Sequence, residues 1–343
     1  MKKILLFVIF FQCITIYSFA QKGTAFLQGG NLRTVFNMAM AQNKPVFLEV
    51  YAPSCHVCNA FKPTFELPQV GNFYNQNFVS YKLDITSPEG ATFLNKQGIW
   101  IASTPTLLFF DKEVNLMHIS ILGENLNSAQ VLIDAATRAL NPKQRTAAYK
   151  ASFQSGNREA NFLIDYGMIA RIMRDTVSSI SAMNAYAQKT PKNKYSNNTN
   201  FLVLQKIIID DENDIFEYMI DNLKEFSGKY DPKLVKQTAE NIIMYSLYSS
   251  RGMRYSVAKI NKVRTNLGKL GVDKKSIDGR LWREESNAYF RENQPTKAIT
   301  ILSNLVDKKT DKSSYKFLSD WVKARTKDKI ALAKAAEWAK LSK

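Results

Sequence analysis

PVFLEVYAPSCHVC, residues 45–58, is the stretch that decides the fold. Pro45 to Tyr51 is a short apolar run rich in β-formers, bounded by the turn signal Ala52-Pro53-Ser54, and reads as a buried strand. Cys58 to Phe65 reads as a helix. A strand that hands the chain to a helix puts Cys55 at the helix N-terminus. There the helix dipole and free backbone N–H groups favour thiolate over thiol. Cys58 falls one turn further in, shielded, where it can close a disulfide with Cys55 or resolve a mixed one. His56 supplies a potential cation beside the sulfur, or is simply a solvated linking residue. A purely structural disulfide is the plainer alternative, but so local a bridge closes almost no loop and constrains the unfolded chain little. Metal ligation with His56 is disfavoured, because three ligands on one turn rarely complete a tetrahedron. Haem attachment needs a histidine directly after the second cysteine, and Asn59 stands there.

Outward from this stretch the pattern alternates. Leu32 to Gln42 has helical spacing, and Phe78 to Ile85 alternates with period two. Thr106 to Phe110 and Leu116 to Leu122 read as strands, and Ala129 to Leu140 as a helix. Strands interleaved with helices predict an α/β domain built on a mixed sheet.

Residues 30 to 140 resemble the thioredoxin superfamily. The resemblance rests on an ordered set: Glu49 where the family places a buried acid, the Cys55/Cys58 pair, and Pro63 at its helix-kinking proline. It continues with Lys82 at the lysine that accompanies the acid, and Thr104-Pro105 at the cis-proline facing the cysteines. Asn75-Gln76-Asn77-Phe78-Val79 is similar to secreted members. The resemblance implies a mixed central sheet flanked by helices. It also implies thiol–disulfide exchange through Cys55 and Cys58, with Glu49 as proton acceptor and the Thr104 backbone open to a substrate chain. Ser54 replaces the usual tryptophan, and His56-Val57 replaces Gly-Pro, at positions where the family tunes its potential. Redox direction therefore does not carry over, since members of this fold differ by about 150 mV. A merely structural Glu49–Lys82 ion pair and an ordinary strand-edge Pro105 are the plain alternatives. His118 reads as a packed or exposed strand residue.

At the N-terminus, Met1-Lys2-Lys3 precedes an apolar run from Ile4 to Ile16 and then Ser18-Phe19-Ala20. This reads as a secretory signal over residues 1–20, cut after Ala20, with a periplasmic destination; a retained membrane anchor is the plain alternative. Cys13 would leave with it, so the mature chain would hold only Cys55 and Cys58, in a compartment where thiol pairs are usable.

The rest of the chain has another character. Residues 21–141 hold eight Lys/Arg and eight Asp/Glu, whereas residues 142–343 hold 37 and 22, a net of +15. Asn141-Pro142 is a turn signal at this changeover, which divides the chain into domains at 21–141 and 142–343. The second region reads as helices: Phe162–Met173, Ile215–Phe226, Leu234–Tyr248, Tyr255–Leu267, Arg280–Phe290 and Lys329–Leu341. Ile207 to Ile209 fits a strand or a buried helix. The expected architecture is an all-α stack of helical hairpins, tetratricopeptide-like, though no clean repeat is visible.

Arg251 to Arg283 holds ten Lys/Arg against Asp273 and Asp278. A solvated basic face is the simplest reading, and an acidic protein partner or anionic surface the functional one. Nucleic acid is not expected, for want of a reader motif or aromatic interleaving. No nucleotide-binding loop is seen, and no cofactor or metal is called for. The composite expectation is a secreted thiol–disulfide oxidoreductase acting on client disulfides or thiols. A thiol-redox partner would recharge it, and the helical domain would bind clients or partners. The alternative is a non-catalytic scaffold with a locked disulfide.

Overall fold

The computed structural model describes residues 23–307 and 309–343. The expected leader, with Cys13, lies outside the described residues. The chain divides into two compact units, Met1–Ser152 and Phe153–Lys343, a boundary further along the chain than Asn141-Pro142.

In the first unit the order is α1 (Leu32–Gln42), β1 (Val46–Tyr51), α2 (His56–Phe65), α3 (Pro68–Asn77), β2 (Val79–Asp84), α4 (Pro88–Lys96), β3 (Thr106–Phe110), β4 (Leu116–Ile121) and α5 (Ala129–Leu140). The strands form one sheet in the order β2-β1-β3-β4. β1 runs parallel to β2 and antiparallel to β3, and β3 is antiparallel to β4. The sheet is mixed, as the strand–helix alternation predicts. Side chains alternate between its faces. On one face Phe47 lies 5.2 Å from Phe109 and 4.7 Å from Tyr74, packed with Phe61 and Phe65 of α2. The Tyr74 hydroxyl donates to Leu132 O of α5 at 2.7 Å, so the one polar atom of this aromatic block is satisfied. On the other face Phe36, Phe93 and Phe110 cluster.

Helices α3 and α4 were not expected from the sequence. α3 (PQVGNFYNQN) has few helix formers; Pro at its first position starts it, and burial of Val70 and Tyr74 holds it. Gly71 in α3 permits a close approach, since a Cβ there would come 2.2 Å from the Gly23 carbonyl carbon. Beyond Gly23, Thr24 N–H donates to Phe65 O (2.7 Å) and Leu27 N–H to Ser80 O (2.9 Å), while the Phe26 ring packs on Phe65. At the other side of the sheet, Ile119 N–H donates to Thr146 Oγ1 at 3.1 Å.

The second unit is helical. Consecutive helices pair as hairpins: Ala160–Ile172 with Thr176–Lys189, Val257–Lys269 with Lys274–Arg291, and Lys312–Lys323 with Lys329–Leu341. Most begin at a short polar cap, among them Asp175, Ser256, Asp273, Asp311 and Asp328, each accepting a backbone N–H of the first turn. Two expectations are corrected. Ile215–Phe226 is two helices, Asp214–Asp221 and Leu223–Lys229, broken at Asn222. Ile207 to Ile209 is neither strand nor helix; the preceding helix ends at Lys206, and Ile207 and Ile208 are buried as irregular chain. Beside that segment a buried polar knot forms. Asp211 accepts from Ser246 and Tyr255 and pairs with Lys259 at 2.9 Å.

Candidate active site

Strand β1 ends at Tyr51, and Cys55 N–H donates back to Ala52 O at 3.0 Å, a tight turn that leads directly into α2. Cys55 is the N-cap of α2, and its Sγ accepts the Cys58 N–H at 3.1 Å. The expected helix start at Cys58 therefore begins earlier, at His56, with Cys55 in the capping position. One free donor of the helix N-terminus points at the Cys55 sulfur, which is the arrangement that stabilises charge there. Cys55 and Cys58 are joined as a disulfide, with their Cα atoms 5.3 Å apart. The two sulfur-bearing residues differ in access: Cys55 is partly exposed, whereas Cys58 is 3% exposed. His56 is exposed at the first position of α2, and Val57 is half-buried against the core.

Thr104 and Pro105 come to the cysteines from the loop before β3. The Thr104–Pro105 bond is cis, and the Thr104 carbonyl oxygen lies 3.4 Å from Cys55 Sγ. Glu49 and Lys82 are register partners on β1 and β2, with Lys82 Nζ 2.9 Å from Glu49 Oε2. Glu49 shares its face of β1 with Phe47, so it lies on the side of the sheet covered by α2. It is 1% exposed, and burial holds its carboxyl above the ordinary range. Lys82, and more weakly Lys62, pull it part of the way back. Lys82 is half-buried, its ammonium 4.6 Å from the Phe26 ring centroid, and reaches the surface beside Lys62 and Glu66.

Pro63 lies inside α2, as expected, and removes one helix N–H. Asn127, after β4, supports this weakened turn: its Nδ2 donates to Ala60 O at 2.7 Å, and its Oδ1 accepts from Thr64 Oγ1 at 2.5 Å. Sequence reading missed Asn127, because nothing at residue 127 signals a contact with residues 60 and 64. His118 is a core residue rather than a site residue. It faces Phe109 across β3–β4, its Nε2 is 3.2 Å from Ser120 Oγ, and burial, with Arg138 nearby, lowers its pKa to about 4.

The chemistry this arrangement permits is thiol–disulfide exchange at Cys55. No group of His, Cys, Asp and Glu able to hold a metal occurs among the described residues.

Residues 32–112 match the model of a family described as Thioredoxin-like. Among solved structures, a candidate disulphide isomerase from Bacteroides thetaiotaomicron is 21% identical, covering 35% of this chain and 95% of that one, with a TM-score of 0.31. A disulphide isomerase from Xylella fastidiosa Temecula1 is 12% identical, covering 34% of this chain and 98% of that one, with a TM-score of 0.29. No curated protein matches the chain.

Proposed function

We propose that the thioredoxin-like domain of the first unit makes this chain a thiol–disulfide oxidoreductase of polypeptide clients, with the helical unit holding the client. The observation that carries the reading is the asymmetry of the cysteine pair: Cys55 is accessible and capped by an N–H, while Cys58 is buried one turn behind it. In the reducing direction the Cys55 thiolate attacks one sulfur of a client disulfide. A Cys55–client disulfide forms, and the other client sulfur leaves as a thiolate that takes up a proton. Cys58 then gives its proton to a base, for which Glu49 is the nearby buried carboxylate. The Cys58 sulfur attacks Cys55 Sγ, the mixed disulfide breaks, and the client leaves as a thiol. Two electrons have passed to the client, and the pair ends as the disulfide seen here. A thiol-redox partner must reduce it again, and the same steps reversed oxidise a client. Raising the carboxyl of Glu49 brings its proton affinity closer to that of a thiol, which suits it to this transfer. Thr104, next to the cis-proline, offers its backbone to pair with the client chain. The leader-like residues 1–20 support a periplasmic place of work.

Turnover of insulin disulfides by the purified chain, with a thiol as electron donor, tests the proposal. The Cys58→Ser variant should accumulate mixed disulfides with clients, and Cys55→Ser should not. Absence of turnover, or equal trapping by both variants, would leave the scaffold reading, with a locked disulfide, in its place.

A further inference from the structure

Net positive charge alone would spread client attraction over the whole helical unit; a specific site needs cations that meet at one point without a carboxylate between them. Most of the basic run 251–283 is spent on internal pairs. Arg251 meets Asp210 and Glu212, Lys259 meets Asp211 and Glu212, and Lys262 meets Glu217. Arg264 meets Asp278 and Glu285, Lys269 meets Asp221, and Arg280 meets Glu240. Arg283 has no such partner among the described residues. Its guanidinium lies over the Trp321 indole, 5.6 Å from the ring centroid, and Arg325 lies over the same ring at 3.2 Å.

Arg325 is held in place by neutral acceptors. Its Nε donates to Asn287 Oδ1 at 2.6 Å and its Nη1 to Trp321 O at 3.0 Å. No carboxylate lies within ion-pair distance of either guanidinium among the described residues. The neighbouring Glu284 is buried, has an Oε2 without a hydrogen-bond partner, and is held toward its neutral form by that burial, with Arg283 drawing it only part of the way back. Two cations on one indole repel each other; Arg325 is pushed below its ordinary pKa by burial and then by Arg283. The indole face offsets part of this repulsion. A carboxylate placed between the two forks would offset more. Beside the pair runs an aromatic flank: Trp282 and Phe317 lie 5.4 and 5.6 Å from Trp321, and Phe317 is 49% exposed.

We infer that Arg283 and Arg325, stacked on Trp321, form a carboxylate-binding notch that takes an Asp or Glu side chain of a polypeptide whose neighbouring apolar side chain lies on Phe317. A polypeptide fits better than a free anion, because charge and exposed aromatic surface are contiguous. The inference rests on the proposed client-holding role of the helical unit, and not on the redox step.

The test uses the full chain and two short peptides, acetyl-Glu-Phe-Glu-amide and its neutral twin acetyl-Gln-Phe-Gln-amide. The indole N–H resonance of Trp321 is followed by NMR up to about 10 mM peptide, which reaches binding in the millimolar range. The Glu peptide should shift this resonance saturably, with an affinity about tenfold above that of the twin. Arg283→Gln, an exposed position, should erase the difference, and Arg325→Lys should reduce it. Equal binding of the twins, no shift with either, or discrimination that survives in a folded Arg283→Gln variant would overturn the notch. So would inorganic phosphate displacing the Glu peptide at equal concentration, which would mark a phosphate site instead. Reduction of the neutral disulfide bis(2-hydroxyethyl) disulfide separates the two readings. It should be the same in wild type and Arg283→Gln. If wild type fails on it while the peptide result holds, the redox reading falls and the notch stands.

Discussion

Acid should loosen the first unit through a single histidine. His118 is 1% exposed on β4, and its Nδ1 is buried without a hydrogen-bond partner. Its pKa falls from 6.5 to about 4, by burial first and by Arg138 second. The folded chain therefore keeps the ring neutral at a pH where the unfolded chain takes up a proton. The sign follows: the stability tied to neutral His118 is fully present above about pH 6.5 and is lost as pH falls through about 4. A unit of pKa is about 1.4 kcal/mol, so the full loss is about 3 kcal/mol, of which about 1 kcal/mol is gone between pH 7 and 5.5. His118→Phe places an uncharged ring among the same neighbours and should remove that component. Urea unfolding of the first unit in wild type and variant, at both pH values, gives the comparison. The wild-type midpoint should drop more on acidification, by the equivalent of about 1 kcal/mol. A direct check is available because the chain has only two histidines, His56 and His118. In His56→Asn, the remaining imidazole should stay neutral in NMR titration down to about pH 5 while the protein is folded. An imidazole titrating near 6.5 in the folded state, or parallel pH dependence in wild type and His118→Phe, would refute the reasoning.

Other outcomes follow from the same structure. Glu49→Gln should lower turnover on a protein disulfide roughly tenfold to a hundredfold by removing the proton acceptor, as steady-state rates would show. Because burial raises the Glu49 carboxyl, its contribution to stability is present at low pH and lost as pH rises past the unfolded value of 4.5; the variant should gain on wild type in urea melts between pH 4.5 and 7. Replacing His56-Val57 by Gly-Pro should lower the reduction potential by tens of millivolts, about 30 mV for each 1.4 kcal/mol of lost thiolate stabilisation, measured against glutathione. Asp211→Ala leaves Lys259 with Glu212 alone, and Ser246 and Tyr255 with only each other, in a buried site; it should cost about 2 kcal/mol, read from the unfolding midpoint of the helical unit.

The legible parts of the sequence were those whose signals are local. The strand Thr106–Phe110 and the helices Leu32–Gln42, Ala129–Leu140 and Lys329–Leu341 are set by unbroken apolar spacing, and the structure has them with the same ends. Cys55 and Cys58 could be picked out because a strand-to-helix turn carries a local mark, whereas Thr104 and Pro105 were reached only through the resemblance to the thioredoxin superfamily; the fold brings Thr104 O to 3.4 Å from Cys55 Sγ. Helix α3 was illegible because Pro68, Gly71 and three asparagines make up half of its ten residues, and tertiary burial of Tyr74 overrides their propensity. The break at Asn222 is equally silent, since apolar spacing continues across it while the backbone leaves the helical region there (φ −125°, ψ 38°). Asn127 and the Arg283/Arg325 pair depend on residues far apart in sequence meeting in space, and no periodicity reports that.

The segment after Gly23 and the hydroxyl of Thr146 both act at the margins of the sheet. β2 and β4 are its outermost strands, and an outermost strand with bare N–H and C=O groups invites another chain to add to it. Residues 24–27 occupy the β2 side through the Phe26–Ser80 bridge and the Leu27 N–H, and Thr146 takes the Ile119 N–H on the β4 side. A fragment that began after residue 28 or stopped at residue 141 would keep all four strands and the cysteine pair, yet expose a ladder edge at one margin or the other. Such a fragment should self-associate at concentrations where residues 21–152 stay monomeric, so the usable limits of this domain are set by what guards its edges, not by where its last helix ends.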